Sequence, residues 1–364
     1  MHDIKNIKPE TRNRKQETRS RLGASLLAHG ANNFNLPSSV FSLRSSVIGL
    51  LTLLLFSCAN ISKTKTIKLA HGLDVNHPVH KAMVFMGKEL EKNSGGKLTL
   101  EIYPNSQLGS ERQCLELLQI GSLGMTKVSA AVMENFAPDM KVFGLPFLFK
   151  NKVHRFKVLD GKIGKQLLDG GTKYWLKGLG YYDAGSRSFY TKEKQINTPE
   201  DLTGMKIRVM QSATAMNMVK KLGGSPTPLS YGELYTALQQ GVVDGAENNP
   251  PSFYSSRHYE VCKYYSLDEH SAIPDVLIIG TQLWNKLSKQ EQQWLQEAVD
   301  ASVVYQRKLW EQSENEALEA VKKTGVEVVT PDKSKFTEKV KTMFNEYKND
   351  KEVYRLIQQI RATE

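Results

Sequence analysis

Residues 201–223, DLTGMKIRVMQSATAMNMVKKLG, hold a turn, a strand and a helix in a single span. Gly204 ends a turn signal, KIRVM (206–210) alternates as a β-strand, and the stretch from Ala213 to Gly223 reads as a helix. The same strand-then-helix unit extends outward in both directions. Downstream, YGELYTALQQG (231–241) is a second helix, and VVDGAENN (242–249) leads into a strand or loop. Upstream, a short β-run from Thr66 precedes a helix over about 79–92, with Val79, Met83, Met86 and Leu90 on one face. LTLEIYP (98–104) alternates as a strand, Ser110 is placed as an N-cap, and MTKVSA (125–130) is the next strand. YYDAGSRSFYT (181–191) reads as strand and bend, and VLIIGTQLW (276–284) begins apolar throughout, as a buried central strand does. This alternation predicts an α/β fold with largely parallel sheets. The longest periodic segment, 289–324, is bracketed by Ser288 and Gly325. At about 1.5 Å per residue it exceeds roughly 50 Å, longer than one small lobe, and so is expected to cross two. A strand at 325–330 and an amphipathic C-terminal helix complete the chain.

Within the strand, Ile207 and Val209 share one face while Lys206, Arg208 and Met210 share the other. If that second face meets solvent, Arg208 is ordinary. If it lines a cleft, the guanidinium fork is a receptor for carboxylate or phosphate. Arg187, in AGSRSF, lies on another β-segment about twenty residues away, flanked by small or apolar residues. Two guanidiniums converging on one ligand require an anion, since neither is neutralised by deprotonation. Asn248, at a strand end, is placed to complete a polar cleft, and Tyr231 offers an aromatic wall, although a core tyrosine reads almost as well.

The 364 residues suffice for two domains, and 40% hydrophobic with 24% charged residues is ordinary globular composition. The formal net charge of +11 is concentrated in part at the start of the chain: residues 1–57 hold eight Lys and Arg against Asp3, Glu10 and Glu17, a net of +5. No basic run is interleaved with aromatics, so a nucleic-acid partner is not indicated. LRSSVIGLLTLLLFSC (43–58) has Arg44 ahead of an apolar run, Val47 to Phe56, too short for an ordinary membrane span and suited to a secretory signal. Its end, Leu55-Phe56-Ser57-Cys58, resembles a bacterial lipobox, which implies a signal over 41–58, lipidation at Cys58 and anchorage to a membrane by lipid. Residues 1–40 fit neither signal nor domain and are expected to be a disordered extension upstream of the native start. Residues 59–65 read as a tether. With Cys58 used as an anchor, Cys114 and Cys262 are a possible but unforced pair.

Catalytic motifs are scarce. There is no Gly-x-Ser-x-Gly, phosphate loop or dinucleotide fingerprint. His258-Tyr-Glu-Val-Cys262, followed by Asp268, Glu269 and His270, lacks the spacing of a zinc site and is better read as a surface helix or loop. Neither a metal nor a cofactor is expected.

Five stretches carry a resemblance: YPNSQLGSER (103–112), LPFLF (145–149), DLTGMKIRV (201–209), LGGSPTPLSYGELYTALQQGVVDGAENN (222–249) and the long helix. Over about 66–335 the chain resembles the solute-binding proteins of the tripartite ATP-independent periplasmic (TRAP) transporters, of the dicarboxylate-binding P-subunit type. AENNPPSF (246–253), SRHYEVCKYYSLDEHS (256–271) and PDVL (274–277) are similar to its hexuronate-binding subgroup. The resemblance implies a two-lobed periplasmic binding protein fold with a hinge, lobe I being 66–184 with 273–313 and lobe II 185–272 with 314–364. It implies hinge crossings near 184–186 and 271–274, capture of a small sugar acid such as glucuronate or galacturonate, and delivery to a membrane permease. Arg208 would clamp the carboxylate, with Arg187, Asn248 and Tyr231 completing that side. Glu111, Ser129 and His71 or Gly72 would meet ligand hydroxyls from the first lobe. Lys127, on the strand face of Ser129, is added as a contact for a second anionic or hydroxyl group, or is simply solvated. The alternatives are a C4-dicarboxylate or other organic-acid binder, or a periplasmic lyase or hydrolase with Glu111 or His71 as base.

Overall fold

The computed structural model describes residues 64–364; the expectations for the upstream extension, the signal, Cys58 and most of the tether lie outside the described residues. Eleven strands, described in this range, form two sheets. β1 (Lys65–Ala70), β2 (Leu98–Tyr103), β3 (Met125–Ser129), β4 (Leu176–Tyr182) and β10 (Asp275–Gly280) form the first, in the order β2-β1-β3-β10-β4. β5 (Arg187–Thr191), β6 (Lys206–Val209), β7 (Ser225–Pro228), β8 (Gly245–Asn248), β9 (Tyr264–Ser271) and β11 (Glu327–Val329) form the second, in the order β11-β9-β5-β8-β6-β7.

The sheets are mixed rather than largely parallel. β10 runs against both β3 and β4, and β5 runs against both β8 and β9. The reason is the path of the chain. β4 leaves the first sheet through 183–186 to become β5, and β9 leaves the second through 272–274 to become β10. A strand entering beside the strand that left must point the opposite way. Local strand–helix alternation carries no record of such an exchange.

Helices cover the sheets where the sequence periodicity predicts. Pro78–Ser94 starts at a proline behind His77, whose ring accepts from Val79 N, and stops at Gly95 with φ 59°. Its Val79, Met83, Met86 and Leu90 are buried with Ile67 and Leu69 of β1 and Ile279 of β10. The long helix, Lys289–Lys323, is closed at its start by a capping box of Ser288 and Glu291. It lies against Pro78–Ser94 and β4 on one side and Pro250–Ser255 on the other, so it touches both halves.

The long helix also grips the crossing. Gln306 accepts from Asp183 N at 2.8 Å and donates to Asp183 O at 2.7 Å, so one amide satisfies both backbone groups of a residue between sheets. Arg155 reaches the same place, pairing with Asp183 Oδ1 at 2.7 Å and donating to Gly185 O at 3.2 Å. Gly185 has φ 60°, and a Cβ there would stand 2.7 Å from Glu314 Oε1 and 2.8 Å from Trp310 Nε1. At the end of the chain, Lys333–Val340 packs on β9, but Lys351–Ala362 packs against 138–144 and Lys162–Gly170. The expected placement of all of 314–364 with the second lobe does not describe that last helix.

Candidate functional site

A cavity of about 710 Å³, counted to its open mouth, lies between the two sheets. Both supply its wall: Ser129 and Asp275 from adjacent β3 and β10, and Arg187, Arg208 and Asn248 from β5, β6 and β8. Register brings these groups together, because Asp275 pairs with Ser129, Ser188 with Asn248 and Arg208 with Ala246.

Arg208 is only 1% exposed, which discards the solvated-face reading. Its Nε and Nη2 both donate to Leu229 O, at 3.0 and 2.7 Å, and its Nη1 has no partner among the described residues. Burial pulls its proton affinity down and Arg187 adds to that; Glu247, which is paired with Arg187 rather than with Arg208, offsets it only in part. A buried cation left this way is unfavourable unless an anion completes it. The Tyr231 ring lies 5.9 Å from the guanidinium, with its hydroxyl turned to Ser256 Oγ at 2.6 Å.

Arg187 also lines the cavity but is already engaged. It donates to both carboxylate oxygens and the carbonyl of Glu247, and through Nη1 to Asn248 Oδ1 at 2.8 Å. Burial opposes charge on Glu247, but Arg187 and His270 outweigh it and bring its pKa down to about 2. The expected pair of free guanidiniums is therefore one free and one committed. Asn248 Oδ1 is taken by Arg187 and by Asn249 N, which leaves its NH2 as a donor toward the cavity.

On the opposite wall, Lys127 is buried and not solvated. It binds Glu111 Oε1 at 3.0 Å and Asp275 Oδ1 at 3.1 Å, and these carboxylates raise its pKa against the effect of burial. Glu111 Oε2 accepts from Ser129 N at 3.2 Å, and Ser129 Oγ caps Ala131 N, so the hydroxyl hydrogen of Ser129 remains free to donate. His71 stands behind this wall: Gly72 faces the cavity, while the His71 ring bonds His80 Nδ1 at 3.0 Å and Leu73 N. Burial, with Lys127 and His80, lowers the His71 pKa to about 3 and keeps it neutral.

Sequence reasoning missed Asp275, His77, Gln211, Ser252 and Trp310, which also line the cavity. Only Asp275 had a usable signal, being a charged residue at the head of a strand that is otherwise apolar. The His258–Cys262 segment is a short helical turn with Glu260 exposed, as expected of a surface element, but two of its side chains turn inward. His258 and Cys262 are buried, the Tyr190 hydroxyl stands 2.8 Å from His258 Nδ1, and burial lowers the His258 pKa to about 3. Among the described residues no group of three or more His, Cys, Asp or Glu is arranged to hold a metal, and Cys114 and Cys262 are separate buried thiols.

Comparison with known proteins places the chain in context. The family model for "Bacterial extracellular solute-binding protein, family 7" matches residues 69–350. The uncharacterized protein YiiZ of Salmonella typhimurium is 38% identical over 318 residues, covering 86% of this chain and 97% of that one. A TRAP periplasmic solute-binding protein from Xanthobacter autotrophicus, solved with bound β-D-galacturonate, is 40% identical with a TM-score of 0.80, covering 82% of this chain and 100% of that one. A counterpart from Roseobacter denitrificans, solved with bound β-D-glucuronate, is 36% identical with the same TM-score and coverage.

Proposed function

This chain belongs to bacterial extracellular solute-binding protein family 7, and we propose that it captures a hexuronate, such as galacturonate or glucuronate, for a TRAP membrane permease. The observation that carries the reading is Arg208: a buried guanidinium with an unpartnered Nη1, in the wall of a cavity between two sheets. A ligand carboxylate satisfies that nitrogen and compensates the charge together. Asn248 NH2 donates beside it, Tyr231 lies under the sugar face, and Ser129 and Glu111 meet hydroxyls from the other wall. The solved relatives with bound galacturonate and glucuronate support this ligand class.

The mechanism is capture without covalent chemistry. The ligand enters an open cleft, Arg208 orients it, and the lobes close about 183–186 and 272–274. Closure expels water and strengthens each polar contact. The closed protein then docks on the permease. A hydrolytic or lyase reading draws less support, because both oxygens of Glu111 are already bonded and His71 stands behind the wall. Leu55-Phe56-Ser57-Cys58 supports a lipid anchor at Cys58 on the outer side of the inner membrane or in the outer membrane, and the mass of the mature protein tests it.

A thermal-shift screen over uronates, aldonates, sialate and C4-dicarboxylates tests the ligand class, since a ligand of the native state alone raises the melting temperature. Uronates are expected to give the largest shift. NMR of the ligand during prolonged incubation should show it unchanged; turnover contradicts capture.

A further inference from the structure

Six charged side chains stand in or directly behind the cavity wall, with a seventh, Arg112, at its mouth, and their pairing is unequal. Arg187 takes Glu247. Lys127 takes two carboxylates, Glu111 and Asp275. Arg208 takes none. Arg112, at the mouth, is half-exposed and paired with Glu116 on its own helix. Charge in the cavity is thus short of one anion at Arg208 and carries one extra at Lys127.

We propose that the Lys127–Glu111–Asp275 cluster is a charge filter that restricts the site to monocarboxylates, with Asp275 as the residue that turns away a second carboxylate. The proposal rests on the capture reading, since it concerns the end of the ligand remote from Arg208. A hydroxyl suits that end because it both donates and accepts. Among the described residues Asp275 Oδ2 accepts no hydrogen bond and is free for a hydroxyl donor, and the Ser129 hydroxyl can donate in return. A carboxylate has no hydrogen to give and would stand beside two others with one ammonium among the three. Lys127, which the sequence alone allows as a receptor for a second anion, is already surrounded by more negative charge than it carries. Burial raises the Asp275 pKa, Lys127 works against this, and Glu111 adds to it, so the wall already resists its own negative charge. Like charges a few ångströms apart in such a wall disfavour binding by about a hundredfold.

The test is calorimetric titration, with competition for weak ligands, using D-galacturonate, D-galactonate and galactarate. The last two share one open chain and differ only in a terminal hydroxymethyl or carboxylate. In the native protein, galactarate should bind at least about a hundredfold more weakly than galactonate. Asp275→Asn and Glu111→Gln, each checked for folding by its melting curve, should each narrow that gap by about tenfold or more, if necessary by acquiring galactarate binding that the native protein lacks. Native affinities for galactarate and galactonate within about threefold of each other, or a gap unchanged in both variants, overturn the filter. If galacturonate binds and the gap is absent, only the filter falls; if no acid of the series binds, the capture reading falls and the filter with it.

Discussion

Arg208 and Arg187 show how two residues of one type, in one cavity, are given different work by their neighbours. Arg187 is fixed by Glu247, and Glu247 faces His270, whose Nε2 lies 3.5 Å from Oε2, an ion-pair separation without a hydrogen bond, while its Nδ1 lies 2.8 Å from Asp268 Oδ2. Burial alone would discharge His270, but Asp268 and Glu247 overcome it and raise the pKa to about 9. Folded protein therefore holds this proton more tightly than the unfolded chain, whose imidazole titrates near 6.5. The resulting stabilisation is complete below about pH 6.5 and fades as pH rises through the folded value. It is on the order of 3 kcal/mol at its fullest. In urea unfolding, His270→Gln should be less stable than native at pH 6, with the difference shrinking by pH 10. A difference that does not change with pH contradicts a charged His270.

At the scale of elements, the long helix acts as the spine on which the sheets are hung, and Gln306 is its grip on the crossing at Asp183. Gln306→Ala removes two buried hydrogen bonds and strands an N–H and a carbonyl, so it should lower unfolding stability by about 2 to 4 kcal/mol. A loss below about 0.5 kcal/mol would mean that water replaces the amide at little cost. This helix was legible from Ser288 to Gly325 because capping and periodicity are local. So was the strand bearing Arg208, from its alternation. What faces that strand was not legible, since burial of Arg208 depends on elements distant in sequence, among them the Leu229 carbonyl. The direction of β10 was hidden for the same reason, as it follows from exchange of strands between sheets. Asp275 stands at the head of an otherwise apolar strand, and its role emerges only when β3 brings Ser129 beside it.

The whole molecule places the groups proposed to hold the ligand on two walls joined by narrow crossings at 183–186 and 272–274, with the long helix behind them. Binding across both walls favours the closed arrangement by as much as the ligand's affinity differs between open and closed states. Small-angle scattering of the native protein should therefore show a smaller radius of gyration on saturation with galacturonate. The radius should stay constant for Asp275→Asn with galactarate only if that ligand fails to bind; a native radius unchanged by saturating ligand contradicts closure.

The central claim is that Arg208 is the anion receptor of the cavity. Side-by-side calorimetry of native protein, Arg208→Ala and Arg208→Lys with D-galacturonate and D-glucuronate tests it most directly. Native protein should bind one ligand per chain. Arg208→Ala should weaken binding by about a hundredfold or more, the loss of two charge-assisted hydrogen bonds, and Arg208→Lys should be poor as well, because an ammonium cannot form the fork. Unchanged affinity in either variant, in protein that still melts cooperatively, contradicts the account.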